Sequence, residues 1–305
     1  MRYTVVLTAQ FPAVARDLLA PHFDVIEHPT EHDRSEADVA TILADADAAI
    51  TLLSDPVTRH VLESNPNLRI VSNFAVGYNN VDIEAARSLG VTVTNTPGVL
   101  TEATADLTMA LILAVTRRIV EADDEMRTLR RCEWEPLKLL GASLQDKRLG
   151  IIGMGRIGTA VATRARAFGL DVLGVRSGQS LDSLLATSDI ISLHAPLSPT
   201  THHILDAAAF ARMKRGAYVI NTSRGPLIDE HALCDALESG QVRGAALDVY
   251  EFEPDVNPRL FAMKNVVLAP HIGSATEEAR NAMARIAATN VLLFLRGQEP
   301  LHRVV

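Results

Sequence analysis

From Tyr3 onward, short β-branched runs alternate with stretches whose apolar positions recur at helical spacing. The runs 4–8, 23–27, 48–53, 69–74 and 91–94 are expected as strands. Between them Pro12 opens a helix, 57–64 forms another, and Asp82 caps a third over Ile83–Leu89 that Gly90 ends. This βα alternation predicts a parallel sheet. The segment 101–120, TEATADLTMALILAVTRRIV, is expected as one long helix with Thr101 at its N-cap and Leu107, Ala110, Leu111, Ala114 and Val115 on one face. So apolar a helix belongs in a core or a subunit contact. The stretch after it, through Trp134, reads as an arm with no core of its own, which suggests a dimer.

A second βα series begins at Arg148, with strands at 149–152, Asp171–Val175, 190–194, Ala217–Asn221, 244–249 and 266–269, and a last helix over 276–295 long enough to cross back. The pattern predicts an α/β fold of two doubly wound parallel-sheet lobes joined by two crossings, with hinges near 95–98 and 274–278. Residues 1–97 with 277–305 are expected as one domain and 98–276 as the other.

A length of 305 residues accommodates two such cores, and 48% hydrophobic with 22% charged residues excludes a disordered or low-complexity chain. The net charge of −8 repels a phosphate backbone or an anionic bilayer, so nucleic acid and membrane surfaces are not expected partners. Two cysteines, Cys132 and Cys234, lie in different helical patterns and are too few for a disulfide scaffold or a thiolate metal site. With neither a signal-like N-terminus nor an apolar run of membrane length, a reducing cytoplasm is the expected location.

Gly153, Gly155 and Gly158 form a G-x-G-x-x-G that follows the strand LGII and opens a helix expected over 159–168. In that context the glycines permit a tight turn, close approach of a pyrophosphate and tight helix packing, while the helix N-terminus supplies free N–H groups. A carboxylate at the end of the next strand normally accepts the ribose 2′-OH of NAD. Here the strand ends on Arg176 and Ser177. A guanidinium and a hydroxyl suit a 2′-phosphate, so NADP(H) is the preferred cofactor and NAD(H) the second choice.

Three further residues follow successive strands, where open α/β sheets bind ligands: Arg224 in NTSRGPLIDE, Glu253 in LDVYEFEP and His271 in APHIGSAT. Taken singly each has a structural alternative, as an ion-pair partner, a solvated acid or a cap. Together they supply what hydride transfer to a carbonyl needs, a proton donor and a cation for a carboxylate. His194, in LHAP, is a second acid by residue type, but its place after a buried strand favours a cofactor-facing or packing role. His202 and His203 are adjacent, and adjacent side chains point to different sides of a strand or about 100° apart on a helix, which argues against a metal pair. No metal site is expected.

Together with SNFAVGYNNVD, VTNTPGVLTEATADLT and SDIISLHAPLSPTTHHI, these segments resemble the D-isomer-specific 2-hydroxyacid dehydrogenases over almost the whole chain, above all their glyoxylate/hydroxypyruvate reductase branch. The resemblance implies a flavodoxin-like substrate domain and a Rossmann-like cofactor domain with a cleft between, a homodimer, and reduction of a small 2-oxo acid to the D-2-hydroxy acid. It casts Arg224 as the anchor for the substrate's carboxylate and carbonyl, His271 as general acid, and Glu253 as the carboxylate that orients the histidine and raises its pKa. Glu251 competes for that last role; Glu253 is preferred because it precedes Pro254, as in the family's Glu-Pro pair. By the same resemblance Val76 and Gly77 offer carboxylate-binding amides beside an apolar wall at Leu53. Thr104, Arg156 and Ile157 lie at the cofactor phosphates, and Pro196 and Thr201 at the adenine-side ribose and phosphate. Thr222, Asp248 and Gly273 lie at the nicotinamide side, with Asp248 accepting from its carboxamide, and Ser223 is a further cofactor contact. Trp134 either reaches a neighbouring subunit's site or anchors the arm. One departure stands out: the family spends a longer loop and an extra strand after the residue matching Arg176, whereas here the next helix, 181–187, follows almost at once. Other substrates compatible with the pattern are 2-ketogluconate and hydroxyphenylpyruvate. A dinucleotide-sensing, corepressor-like binding protein is the alternative from another class.

Overall fold

A computed structural model describes residues 2–31 and 34–305. The chain forms two compact units, one of residues 1–100 with 275–305 and one of residues 101–274. In the first, β1 (Thr4–Leu7), β2 (Asp24–Glu27), β3 (Ala48–Thr51), β4 (Ile70–Asn73) and β5 (Thr92–Thr94) form a parallel sheet in the order β2-β1-β3-β4-β5. In the second, β6 (Arg148–Ile152), β7 (Asp171–Val175), β8 (Ile190–Leu193), β9 (Ala217–Asn221), β10 (Val242–Leu247) and β11 (Val266–Leu268) form a parallel sheet in the order β11-β10-β9-β8-β6-β7. Both sheets are doubly wound, as the alternating pattern predicts. Every residue of β3, β4, β5, β8 and β9 is buried, because helices cover both faces of a parallel sheet.

The last helix, Glu277–Leu295, is capped by Thr276, whose hydroxyl accepts the Ala279 N–H at 3.1 Å. It packs Met283, Ala284, Ala287, Ala288 and Val291 in the same core as Val5, Leu7, Ile50 and Ile70. The two ends of the chain therefore share one core, and each fully buried Ile or Leu in it contributes about 1.5–3 kcal/mol.

The segment 101–120 departs from expectation. The helix runs only from Thr101 to Thr116; Arg118 adopts φ 55°, and a second helix, Ile119–Leu129, follows. The buried face is not the expected apolar stripe either, because Ala110 is exposed and Leu107 and Ala114 are half-buried. Of the expected face only Leu111 and Val115 are buried, and Thr104, Ala105, Thr108, Met109, Ile112 and Thr116 are buried with them. Threonine is tolerated there because its hydroxyl can be satisfied inside the helix: Thr108 and Thr116 donate to the carbonyls of Thr104 and Ile112 at 2.8 and 2.7 Å. The helix Ile119–Leu129 buries no residue. Among the described residues no helix is long and apolar enough to cross a membrane.

Candidate active site

In the second sheet the chain order reverses between β6 and β8, and the crevice beyond the strands' carboxyl ends at such a reversal is where open α/β sheets bind ligands. The glycine loop leaves β6 at this point. Gly153 has φ 105°, and a Cβ on it would run into the backbone of His194 and Ala195, while one on Gly158 would strike the Gly153 carbonyl. The helix Arg156–Ala167 therefore begins directly after Gly155, earlier than the expected 159, and packs tightly beneath the loop. Gly155 itself has open space where a Cβ would stand, makes no side-chain cap, and is followed by a first turn without an acidic residue. Free N–H groups and the positive end of a helix thus face unfilled volume, a donor set that fits the pyrophosphate of a dinucleotide.

β7 ends at Val175, and the Arg176 N–H donates to Gln179 Oε1 at 2.6 Å in a tight turn that admits no further strand. Arg176 is exposed, and no carboxylate stands between it and Asp182. His194, after β8, is half-buried, its Nε2 2.9 Å from Ser192 Oγ. Burial pushes its imidazole down to about 4. It is neutral near pH 7 and unsuited to donate a proton as imidazolium. Ser223 Oγ donates to the Ala195 carbonyl at 2.6 Å, and Thr201 Oγ1 to the Pro196 carbonyl at 2.7 Å, so both hydroxyls shape the loops beside the glycine turn.

Arg224, Glu253 and His271 follow β9, β10 and β11, three neighbouring strands. Glu253 Oε1 accepts the Tyr250 N–H at 2.9 Å, and its Oε2 lies 2.9 Å from His271 Nδ1. Burial pushes the Glu253 carboxyl up, but the hydrogen bond and charge of His271, the Tyr250 N–H and the charge of Arg224 outweigh it and hold the group below its ordinary value. With Nδ1 taken by a carboxylate, Nε2 is the nitrogen left to face a reacting atom. Glu251 points elsewhere, its Oε1 2.6 Å from His203 Nε2 and its Oε2 accepting the Glu230 N–H at 3.1 Å.

The Arg224 guanidinium is half-buried and donates to the Ser223 carbonyl at 2.6 Å, and the Arg224 carbonyl accepts from Asn221 Nδ2 at 2.8 Å. Burial lowers its pKa, with the charge of Glu253 opposing. Gly225 lets this loop rest on the next one, since a Cβ there would collide with the Tyr250 carbonyl.

His271 adopts φ 53°, a left-handed conformation that costs a non-glycine residue energy unless its surroundings impose it. Asp248, 1% exposed, imposes it: Oδ1 accepts the Ile272 N–H and Oδ2 the Gly273 N–H, both at 2.7 Å. Burial raises the Asp248 carboxyl above its ordinary range, and the amides of Ile272 and Gly273 and the charge of His271 oppose this only in part. Thr104 Oγ1 donates to the Gly273 carbonyl at 2.9 Å, and Thr108 and Thr222 join their hydroxyls at 2.9 Å. Sequence reasoning placed Asp248, Thr104 and Thr222 only at the cofactor; in this structure their polar atoms also brace the turn of His271 and the end of β9.

In the first unit, the Gly77 carbonyl accepts from Asn73 Nδ2 at 2.9 Å and the Val76 carbonyl from Asn95 Nδ2 at 2.8 Å. Their N–H groups have no acceptor among the described residues. Below them Asp55, 1% exposed, accepts from Thr8 Oγ1 at 2.5 Å and from the Leu52 N–H at 2.7 Å, and Leu53 is half-buried. Asp55, Asn73 and Asn95 were not singled out: Asp55 lies in no motif, and Asn73 and Asn95, though inside SNFAVGYNNVD and VTNTPGVLTEATADLT, carry no periodicity that marks their side-chain bonds. Trp134 is 83% exposed and Leu137 80%, on the segment that follows the second helix of 101–134.

A family model described as "D-isomer specific 2-hydroxyacid dehydrogenase, NAD binding domain" matches residues 109–273. The chain is 48% identical over 273 residues to a glyoxylate reductase of Thermococcus litoralis, covering 84% of this chain and 82% of that one. Its structure is similar to that of a Thermus thermophilus protein at TM-score 0.93 and 42% identity over 99% of this chain and 100% of the other. It is also similar, at TM-score 0.86 and 30% identity over 100% and 97% of the two chains, to an NADPH-dependent glyoxylate/hydroxypyruvate reductase of Sinorhizobium meliloti in complex with NADP and malonate.

Proposed function

The chain belongs to the D-isomer specific 2-hydroxyacid dehydrogenase family, and from that premise we propose that this oxidoreductase reduces small 2-oxo acids, glyoxylate and hydroxypyruvate first, with NADPH as the preferred donor. The observation that carries the reading is the His271–Glu253 contact of 2.9 Å beside the Arg224 loop, on strand ends next to a glycine turn that suits a dinucleotide.

When bound, the reduced nicotinamide supplies the hydride that adds to C2 of the 2-oxo acid. The amides of Gly155, Arg156, Ile157 and Gly158 hold its pyrophosphate, and Arg176 with Ser177 takes the 2′-phosphate. His194, Pro196, Thr201, Ser223 and Gly273 shape the loops around it. Arg224 holds the substrate carboxylate in register, and the free N–H groups of Val76 and Gly77 are of the kind a carboxylate accepts. Glu253 keeps the imidazole of His271 oriented through Nδ1, and Nε2 delivers the proton to the carbonyl oxygen as C2 is reduced. The preference for NADPH is supported by the absence of a carboxylate after β7 and by the dependence of the Sinorhizobium meliloti relative on NADPH. The exposed Trp134, Leu137 and Leu140 belong to the contact of a homodimer, a reading checked by the solution mass of the chain and of Leu137→Glu.

The test is initial-rate oxidation of NADPH and, separately, NADH with glyoxylate, hydroxypyruvate and 2-ketogluconate. A clear advantage for NADPH with either small acid is expected. A preference for 2-ketogluconate overturns the substrate proposal, and a preference for NADH overturns the role of Arg176. Binding of both dinucleotides without turnover overturns the catalytic assignment and favours a sensor.

A further inference from the structure

Outside the residues assigned above, the loops after β8 and β10 bring together three metal-ligating side chains. His202, His203 and Glu251 each place a ligand atom within 4.8 Å of the others. The two adjacent histidines do not diverge here, for a local reason. His203 has φ 50°, in the left-handed region, so the backbone is neither strand nor right-handed helix, and the two rings lie side by side with centroids 4.0 Å apart and planes inclined by 32°.

This conformation is imposed by the chain around it. The His203 N–H donates to the Pro226 carbonyl at 2.9 Å, the Leu205 N–H to the Leu227 carbonyl at 3.1 Å, and the Asp229 N–H to the Leu205 carbonyl at 3.1 Å. The loop is thereby stitched to the segment that follows Arg224. Glu251 is fixed from the other side: its N–H donates to Glu230 Oε1 at 2.7 Å, and its Oε2 accepts the Glu230 N–H at 3.1 Å. Its side chain is 8% exposed and its other oxygen, Oε1, lies 2.6 Å from His203 Nε2, whose side chain is 31% exposed. A buried, backbone-anchored carboxylate thus faces two imidazoles at the surface.

We propose that His202, His203 and Glu251 form a binding site for a borderline divalent transition ion of the zinc type, with water completing the coordination. Two imidazoles and one carboxylate suit zinc, cobalt or nickel, whereas magnesium and calcium favour all-oxygen sites. With metal–ligand distances of about 2.0–2.2 Å, tetrahedral ligand atoms stand roughly 3.3–3.6 Å apart. The 2.6 Å separation of His203 Nε2 and Glu251 Oε1 therefore opens by a fraction of an ångström as the ion replaces their shared proton, while the outer ligand atoms draw in. The Glu230 N–H on Oε2 stays in place as support for the ligating carboxylate. The ion ties the loop after β8 to the loop after β10, and it binds the folded chain in preference to the unfolded one.

The test is calorimetric titration of the chelator-treated full chain with zinc chloride at neutral pH, repeated with cobalt chloride while visible absorption is followed. The parent for both is Cys132→Ser, because Cys132 is exposed and offers a competing thiolate. One ion per chain and a raised melting temperature are expected. His202→Ala, at an exposed position outside the catalytic set, should lose at least tenfold in affinity and most of the cobalt absorption, with turnover and metal-free melting unchanged. Glu251→Gln should weaken binding as much, and His202 carries the test if that variant does not fold. Millimolar zinc that produces no binding heat in the parent, or a His202→Ala variant that binds as tightly as the parent, overturns the site.

Discussion

Gly155→Ala separates a glycine needed by the fold from one needed by the cofactor. At Gly155 φ is −83° and ψ −159°, a conformation open to alanine, and a Cβ there meets no atom within 4 Å. Alanine reduces the freedom of the unfolded chain, which stabilises by about 0.4–1 kcal/mol. It is also a poorer N-cap than glycine, which costs a comparable amount, from a few tenths to about 1 kcal/mol. The two effects oppose one another, so the melting temperature of the dinucleotide-free variant should stay within about 2 °C of the parent. With cofactor the balance is different. The added methyl stands at the N-cap of the helix in space that is open in this structure, and if it holds a phosphate even slightly off the first-turn N–H groups it weakens charge-assisted hydrogen bonds. A loss of about 10–100-fold in NADPH affinity, roughly 1.4–2.8 kcal/mol, is expected. Thermal melting with and without NADPH, together with a fluorescence titration, measures both quantities on one sample. An unchanged dissociation constant would show that the pyrophosphate does not lie over this helix. A dinucleotide-free variant that melts many degrees lower would show that Gly155 serves packing, as Gly158 does.

His271→Ala should cut kcat by about 10²–10⁴-fold and leave NADPH affinity nearly unchanged, and unaltered turnover removes the histidine from the reaction. Arg176→Asp should move the ratio of kcat/KM values toward NADH, because a carboxylate repels a 2′-phosphate and accepts a 2′-hydroxyl; a constant ratio refutes the role of Arg176. Gly225→Ala forces a methyl into the Tyr250 carbonyl, so it should lower stability by at least about 1–3 kcal/mol and depress kcat/KM, and denaturation at the parent's midpoint contradicts the contact. The Glu253 carboxyl lies below its ordinary value in the fold, so its contribution is present above the unfolded pKa of about 4.3 and is lost as pH falls through the lower folded value. The stability gap between the parent and Glu253→Gln, measured by chemical denaturation from about pH 6 to pH 3, should therefore shrink toward the acid end, and a constant gap would exclude that linkage.

What could be read from the chain was what local spacing encodes. The parallel α/β units followed from runs of β-branched residues between capped helices, and the glycine turn from three glycines between a strand and a helix. Arg224, Glu253 and His271 stood out as candidates because each lies in the loop after a strand, and the strands all point one way. What escaped has no period. Asp55 meets Thr8 and Leu52, and Asn73 and Asn95 pin the carbonyls of Gly77 and Val76, through side-chain bonds that no spacing rule marks. The break at Arg118 interrupts TRRIV without a glycine or proline to announce it. The buried threonines of the helix Thr101–Thr116 read as polar until their hydroxyls are seen to bond within the helix and to Thr222 and Gly273. The pairing of His202 with His203 was argued against because the rule for neighbouring side chains assumes regular backbone, and His203 is not in one.

In the proposed reaction, the bracing of His271 is what lets a strained residue serve as the proton donor. Its left-handed backbone costs about 1–3 kcal/mol. The two charge-assisted bonds from Ile272 and Gly273 to Asp248 contribute roughly 1.5–3 kcal/mol each, enough to outweigh that strain. Burial of Asp248 raises its pKa and works against the clamp, so the surplus is modest and depends on both amides being held. Glu253 then fixes the ring from the same stretch of chain, through the Tyr250 N–H, while the Tyr250 hydroxyl donates to the Ala269 carbonyl at 2.9 Å, two residues before the histidine. Backbone and ring of His271 are thus both set by residues 248–253. A change at Asp248 or Tyr250 should therefore misplace Nε2 and lower kcat without touching a substrate atom, whereas a change at Arg224 should act first on KM.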